Sequence, residues 1–137
     1  MDEPLRALIR QWLAKAGEDC DLIEHLVKEG SRFPAAVVFH SQQAAEKYLK
    51  ALLVRYGVDF PKTHDIMELL RLLKPMDAAL AVELEAADWL TPFGAAIRYP
   101  GDYPQVRPGD DKRAVELAHQ VRDRVMRALQ ADLSDLT

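Results

Sequence analysis

Residues 34–57 of the chain read PAAVVFHSQQAAEKYLKALLVRYG, and this stretch decides the fold. Pro34 has the fixed φ that suits a first helical turn, and Gly57 suits the position just beyond a helix end. The 22 residues between them contain neither glycine nor proline. At roughly 1.5 Å of rise per residue, they predict one helix about 33 Å long.

The apolar residues of this predicted helix cover a broad part of its circumference. At helical spacing they are Val37, Val38, Ala44, Ala45, Tyr48, Leu49, Leu52, Leu53 and Tyr56. An arc this wide exceeds what a surface helix needs, so we predict a central helix that packs on two or more neighbours. The remaining arc carries a polar stripe at steps of three and four, made of His40, Gln43, Lys47 and Lys50. The simplest interpretation of this stripe is the solvated side of a core helix.

The composition describes one ordinary domain. With 137 residues, of which 49% are apolar, the chain fits a single domain over residues 1–137 with a real hydrophobic core. Eighteen basic and 22 acidic residues give a net charge of −4, so no overall positive field attracts nucleic acid or anionic lipid. A phosphate site would have to be built locally from a few residues. No apolar run approaches the length of a membrane span, and we expect a cytoplasmic protein.

The chain has a single cysteine, Cys20. One cysteine excludes an intrachain disulfide and argues against a structural zinc site. Cys20 lies on the apolar face of the first helical pattern, so we predict a buried free thiol.

Helical spacing recurs on both sides of the central helix. Four further helices are predicted, at 4–28, 64–74, 77–90 and from Asp110 or Asp111 onward. Thr63 is the expected N-cap of the third helix, and Pro75 stops it. The residues expected to face inward on this helix are Ile66, Leu69, Leu70 and Leu73. Asp110 or Asp111 is the expected cap of the last helix, and its predicted buried residues are Val115, Ala118, Val121, Val125 and Leu129. No stretch shows the alternation of a strand. The predicted fold class is therefore all-α, an up-and-down antiparallel helical bundle of about five helices.

Residues 91–110, TPFGAAIRYPGDYPQVRPGD, differ from the rest of the chain. They hold four of the eight prolines and three of the six glycines, which predicts a long loop. A loop of this length in a compact domain is usually functional or disordered. Apolar and aromatic residues along it favour an ordered loop, namely Phe93, Ile97, Tyr99, Tyr103 and Val106.

Three stretches of the chain follow one another in the order seen in a known family. They are HSQQAAEKYLKALL at 40–53, KTHDIMELL at 62–70 and RYPGDYP at 98–104. Together with the order and length of the helices, they resemble the HEPN domains (higher eukaryotes and prokaryotes nucleotide-binding). The likeness covers nearly the whole chain.

The resemblance implies a helical bundle that is commonly a homodimer and is often encoded beside a minimal nucleotidyltransferase. Many relatives are ribonucleases whose active site is an arginine followed four to six residues later by a histidine, with two copies meeting in one cleft of the dimer. After Arg98 those positions hold Asp102, Tyr103 and Pro104, so this chain departs from the ribonuclease pattern. A partner nucleotidyltransferase of this family can use a nearby tyrosine hydroxyl as an acceptor, a role open to Tyr103.

Cleavage of RNA by the 2′-hydroxyl needs a proton acceptor near neutral pH and a group that stabilises the phosphorane. Arg98 suits the second role, and His64 or Asp102 is the candidate for the first. His64 is either a base with Lys62 beside it to hold a phosphate, or a residue that completes a helix cap. Arg98 and the loop tyrosines are either loop anchors or ligands of phosphate and base.

The candidate ligand-binding residues are Arg98, Tyr99, Tyr103, Lys62, His64, His40, Gln43 and Lys47. The catalytic candidates are Arg98, His64 and Asp102, and neither a metal site nor a cofactor is predicted.

Three functions remain open from the sequence. The first is a nucleotide- or phosphate-binding module, a homodimer that works with a minimal nucleotidyltransferase in a toxin–antitoxin-type pair. The second is a metal-independent ribonuclease toxin that uses Arg98 with His64 or Asp102. The third is a purely structural helical interaction subunit. The missing histidine after Arg98 favours the first over the second, and the loop rich in arginine and tyrosine favours the first over the third.

Overall fold

The computed structural model describes residues 2–28, 32–94 and 101–130. These residues form five α-helices and one 3₁₀ helix, and no strand occurs among them. The helices are α1 (Glu3–Lys28), α2 (Pro34–Arg55), α3 (Ile66–Leu73), α4 (Ala78–Glu83), the 3₁₀ helix (Glu85–Phe93) and α5 (Asp110–Ala128). The prediction of an all-α helical bundle is confirmed. No described helix combines the length and the hydropathy that a membrane span requires.

Helix α2 is the centre of the bundle, as predicted. It packs against α1, α5, α3 and the 3₁₀ helix. Fourteen of its 22 residues are buried, which requires neighbours on most of its circumference. Helix α1 runs antiparallel to α2, because Trp12 lies near Lys50 while Asp19, further along α1, lies near His40. The buried leucines of α2 each contribute about 1.5–3 kcal/mol of hydrophobic stabilisation.

Both ends of α2 follow from the predicted residues. Pro34 occupies the first helical turn. Gly57 has a φ of 70°, the left-handed conformation that glycine adopts without steric cost. Its N–H donates to the carbonyl of Val54 and the N–H of Val58 donates to the carbonyl of Leu53, both at 3.0 Å. This pair of bonds closes the helix end in a Schellman motif.

The predicted cap of α3 is wrong. The helix begins at Ile66, and its N-cap is Asp65, whose side chain accepts a hydrogen bond from the N–H of Glu68. Thr63 instead uses its hydroxyl to accept from the N–H of Asp65 at 3.1 Å and to donate to Oε2 of Glu68 at 2.8 Å. Asp65 caps the helix in place of Thr63 because its carboxylate is negatively charged and the N-terminus of a helix carries a partial positive charge. His64 therefore precedes the helix.

The predicted helix 77–90 forms only in its first half. Asp77 is the N-cap of α4, which ends at Glu83, and a 3₁₀ helix continues from Glu85 to Phe93. In that helix, Asp88 accepts from the N–H of Met67 at 3.1 Å, and the Thr91 hydroxyl oxygen accepts from the N–H of Ile66 at 3.1 Å. The first N–H groups of α3 have no acceptor within their own helix, and the 3₁₀ helix supplies side-chain acceptors to two of them.

Helix α5 begins at Asp110, but its N-cap is Gly109 with a φ of 90°, so the predicted aspartate cap is wrong. Its buried side carries Ala118, Val121, Val125 and Leu129, as predicted, whereas the predicted Val115 is only partly buried.

Cys20 is a buried free cysteine, as predicted. Burial raises the pKa of the Cys20 thiol, and a hydrogen bond with the side chain of Tyr48 opposes part of that rise.

The two glycines at positions 17 and 94 should respond oppositely to alanine. A Cβ at Gly94 would lie 2.5 Å from Cδ of the fully buried Gln42, whereas a Cβ at Gly17 would meet nothing within 4 Å. We expect Gly94→Ala to lower the free energy of unfolding by about 1–3 kcal/mol through overpacking. Gly17→Ala should raise it by about 0.5–1 kcal/mol, because alanine favours the interior of α1. Urea unfolding followed by circular dichroism measures both, and equal effects would contradict the close contact at Gly94.

Candidate functional site

Polar and charged side chains are buried along one side of α2. Gln42, Glu46 and Lys50 follow one another at steps of four residues and are 0%, 3% and 6% exposed. We call them, together with His64 of the connector that precedes α3, the polar seam. The prediction that Lys50 belongs to a solvated stripe is therefore wrong. Lys50 is buried because the connector after Gly57 folds over it and supplies partners for its charge.

The Glu46 carboxylate joins the members of the seam. Its Oε1 accepts a hydrogen bond from Nδ1 of His64 at 2.7 Å and a longer one from Nε2 of Gln42 at 3.3 Å. Its Oε2 accepts from Nζ of Lys50 at 3.0 Å. A carboxylate that is only 3% exposed loses most of its hydration, and these donors replace it.

The Lys50 ammonium is surrounded by partners of three kinds. It pairs with Glu46 and donates to the carbonyl of Thr63 at 2.9 Å. It also lies 5.5 Å from the ring centroid of Trp12 and 5.7 Å from that of Phe60, within the range of cation–π attraction. Lys50 thereby fastens α1 and the connector to α2.

His64 is the exposed end of the seam. Its side chain is 65% exposed, although its Nδ1 lies 2.7 Å from the buried Glu46. Because the ionised carboxylate only accepts hydrogen bonds, Nδ1 is the protonated nitrogen of the neutral ring, and Nε2 is left as the acceptor. A histidine held in one tautomer by a carboxylate is suited to taking a proton at Nε2, or, when protonated, to binding a phosphate there.

Gln42 connects the seam to the connector that precedes α3 and to the end of the 3₁₀ helix. It donates from Nε2 to the carbonyl of His64 at 2.9 Å and accepts at Oε1 from Nε2 of Gln43 at 2.7 Å. The end of the 3₁₀ helix packs on it, since Gly94 has no room for a Cβ there. The position of the His64 backbone is thus fixed by a buried side chain.

A second polar cluster lies between α1 and α2. Oδ1 of Asp19 is 2.9 Å from Nδ1 of His40, and Oδ2 of Asp19 accepts from Nζ of Lys47 at 2.7 Å. The side chains of His40 and Lys47 remain 29% and 22% exposed. Two predicted ligand-binding residues, His40 and Lys47, are therefore brought together around Asp19, which was not among the predicted residues. Gln43, the third predicted residue on this helix, donates from Nε2 to Oε1 of Gln42 and so contacts the seam.

A cleft of about 480 Å³ opens beside the seam. We call it the Trp12–Phe60 cleft, and its lining residues are Trp12, Lys50, Phe60, Pro61, Lys62, Thr63 and His64. The predicted residues Lys62 and His64 are both exposed and lie together on its lining.

The predicted site residues of the loop differ in where the structure places them. Arg98 and Tyr99 lie in 95–100, outside the described residues. Asp102 is exposed in a turn. The Tyr103 hydroxyl donates to the carbonyl of Phe93 at 3.1 Å, and its ring packs against the Phe93 ring with centroids 6.1 Å apart. Tyr103 is therefore anchored on Phe93, and the role of anchor was one of the three open to it from the sequence.

Several residues of the site were absent from the sequence-based candidates, namely Asp19, Gln42, Glu46, Trp12 and Phe60. The spacing of Gln42, Glu46 and Lys50 is a sequence signal, but it is equally typical of a solvated helix face. Within residues 2–28, 32–94 and 101–130, no three His, Cys, Asp or Glu side chains are grouped so as to hold a metal ion.

These features define a class of protein, an all-helical bundle whose central helix carries a buried ion pair that positions an exposed histidine. The chain belongs to the HEPN domain family, whose family model matches residues 9–129. The matched range includes the whole polar seam. Comparison with curated proteins and with solved structures gives no match.

The buried pair of Glu46 and Lys50 should show strong energetic coupling. Removing one partner leaves the other charge buried without its counter-ion, so Lys50→Met or Glu46→Gln alone should lower the free energy of unfolding by about 3–5 kcal/mol. The double variant should lose less than the sum of the two, by at least about 1 kcal/mol. Urea unfolding of the four proteins gives this double-mutant cycle.

The matched control is the surface pair of Arg124 and Glu83. Nε of Arg124 lies 2.8 Å from Oε2 of Glu83, and the two side chains are 29% and 43% exposed. The same cycle with Arg124→Met and Glu83→Gln should give a coupling of about 0.2–1 kcal/mol. If the two cycles gave equal values, burial of the Glu46–Lys50 pair would not determine its strength.

Proposed function

We propose that this HEPN domain binds a phosphate-bearing ligand, a nucleotide, at the exposed end of the polar seam. The observation that carries the proposal is the His64 imidazole, which is 65% exposed while the buried Glu46 holds its Nδ1. A ring fixed in this way presents Nε2 outward in one orientation. The exposed Lys62 lies on the same cleft lining and adds a positive charge.

Phosphate recognition requires donors that are fixed before the ligand arrives. His64 meets this requirement through Glu46, and its backbone is held by Gln42 at 2.9 Å. His40, Gln43 and Lys47 extend the polar surface along α2 and are proposed as further contacts. The chain has a net charge of −4, so a phosphate would be attracted by this local arrangement and not by the whole protein.

We further propose that the domain is a homodimer and that it works with a minimal nucleotidyltransferase in a toxin–antitoxin-type pair. Membership of the family supports both statements, as does the resemblance of its three sequence stretches. Large apolar side chains that remain exposed on α1 are compatible with a partner surface, namely Leu8, Leu22 and Val27. Closed dimers with two-fold symmetry are the commonest assembly of such chains.

The second candidate is a metal-independent ribonuclease that uses Arg98 with His64 or Asp102. The pairing of Glu46 with Nδ1 of His64 favours His64 over Asp102 as the base, since it leaves Nε2 free to accept the proton of a 2′-hydroxyl. Arg98 is the candidate for stabilising the phosphorane in this scheme.

Nucleotide binding should depend on His64 and Lys62. We expect AMP to bind the wild-type protein near pH 7, and His64→Ala or Lys62→Ala to weaken binding about tenfold or more, because each removes a charge-assisted contact of about 1.5–3 kcal/mol. Isothermal titration calorimetry measures this. The matched controls are His25→Ala on α1 and Lys74→Ala after α3, both exposed residues outside the cleft.

The same variants, with Arg98→Ala added, separate the two candidate functions when a structured RNA is offered. We expect cleavage to be absent or feeble in all of them. Robust cleavage by the wild type that is lost in Arg98→Ala and His64→Ala would establish the ribonuclease. AMP affinity that is unchanged in His64→Ala and Lys62→Ala would contradict the proposed phosphate site.

The assembly is tested by sedimentation equilibrium at micromolar concentration. We expect a particle of about twice the 15.5 kDa chain mass. A monomer throughout the micromolar range would contradict the proposed homodimer.

A further inference from the structure

The Trp12–Phe60 cleft has aromatic, apolar walls, which a phosphate alone would not need. Two aromatic side chains and Pro61 form its walls, and its volume is about 480 Å³. Small-molecule sites of this kind usually enclose about 300–1,000 Å³ and combine apolar walls with a few polar groups. The cleft therefore has room for more than an inorganic phosphate.

Its aromatic walls are held in place. The Trp12 and Phe60 rings lie edge to face, with centroids 6.0 Å apart and planes at 65°. The Lys50 ammonium contacts both rings, and it is itself fixed by Glu46. Both rings remain partly exposed. A rigid and partly exposed aromatic surface is what a planar base needs in order to stack.

The charges of the cleft suit an anion. Among the residues that the structure describes, its lining carries Lys62, His64 and Lys50, whose charge is paired with Glu46, and it carries no carboxylate. The neighbouring groove, of about 540 Å³, shares Trp12 and Phe60 as walls, but within 2–28, 32–94 and 101–130 the charged residue on its lining is Asp59 alone. An anionic ligand with a planar ring is therefore matched by the Trp12–Phe60 cleft and disfavoured by its neighbour.

We propose that the Trp12–Phe60 cleft is a nucleobase subsite, in which the base of the bound nucleotide lies against Trp12 and Phe60. The inference rests on the proposed function for the position of the phosphate, which lies at Lys62 and His64. The base supplies the apolar contact and the phosphate supplies the charge.

Trp12 gives a direct readout. The chain has two tryptophans, and Trp89→Phe leaves Trp12 as the single fluorescent reporter. Titration of this variant with AMP should quench its emission, with a midpoint that agrees with calorimetry. Ribose 5-phosphate should bind at least about tenfold more weakly and leave the emission unchanged. Base stacking on an aromatic residue accounts for a ratio of this size.

Phe60→Leu tests the stacking surface while keeping an apolar side chain in the wall. We expect it to weaken AMP binding about 5- to 100-fold and to leave ribose 5-phosphate binding unchanged. The matched control is Phe33→Leu, at an exposed phenylalanine that precedes α2, which should change neither. Circular dichroism confirms that each variant is folded.

The outcomes separate the two proposals. If AMP and ribose 5-phosphate bind equally well and Phe60→Leu changes neither, the base subsite is overturned while the phosphate site stands. If adenosine and AMP both quench Trp12 but neither Lys62→Ala nor His64→Ala weakens the binding of AMP, the base subsite is supported and the proposed phosphate contacts are contradicted. Quenching of Trp12 by inorganic phosphate alone would also overturn the base subsite.

Discussion

A buried carboxylate sets the main constraint on this bundle. Glu46 lies on the central helix at 3% exposure, and its charge is stable there only while Lys50, His64 and Gln42 donate to it. Those donors come from α2 itself and from the connector after Gly57. The connector must therefore fold back over α2, and this return places His64 and Phe60 beside Trp12 of α1. The position of the candidate site thus follows from the solvation of one charge.

The sequence predicts the helices well because helical periodicity and chain breakers act locally. Pro34 and Gly57 bracket α2, and the inward faces of α3 and α5 follow from their spacing. The wrong caps of α3 and α5 are local errors, since Asp65 and Gly109 lie within two residues of the predicted caps. Other features of the structure depend on residues that are distant in the sequence. Asp88 and Thr91 cap α3 from the following 3₁₀ helix, and no short-range pattern around Thr63 reveals that contact.

The site was predicted in part. His64 and Lys62 were recognised from a family-like stretch, and they do share a cleft. Glu46 and Lys50 were not recognised as buried, because an i,i+4 pair of opposite charges has the same spacing on a solvated face and beneath a connector. Asp19 was missed for a related reason, since an acid on a long amphipathic helix gives no sign that His40 and Lys47 reach it from α2.

The capping of α3 also bears on the order in which the chain acquires its structure during synthesis. Helix α3 has eight residues, too few to persist alone in water. Its first N–H groups receive their acceptors from residues 21 and 25 positions further along the chain. During synthesis α2 is complete before α3 and can pack on it, but the first two N–H groups of α3 lack these side-chain acceptors until Asp88 and Thr91 have been added. The 3₁₀ helix is thus the element that completes the folding of the segment before it.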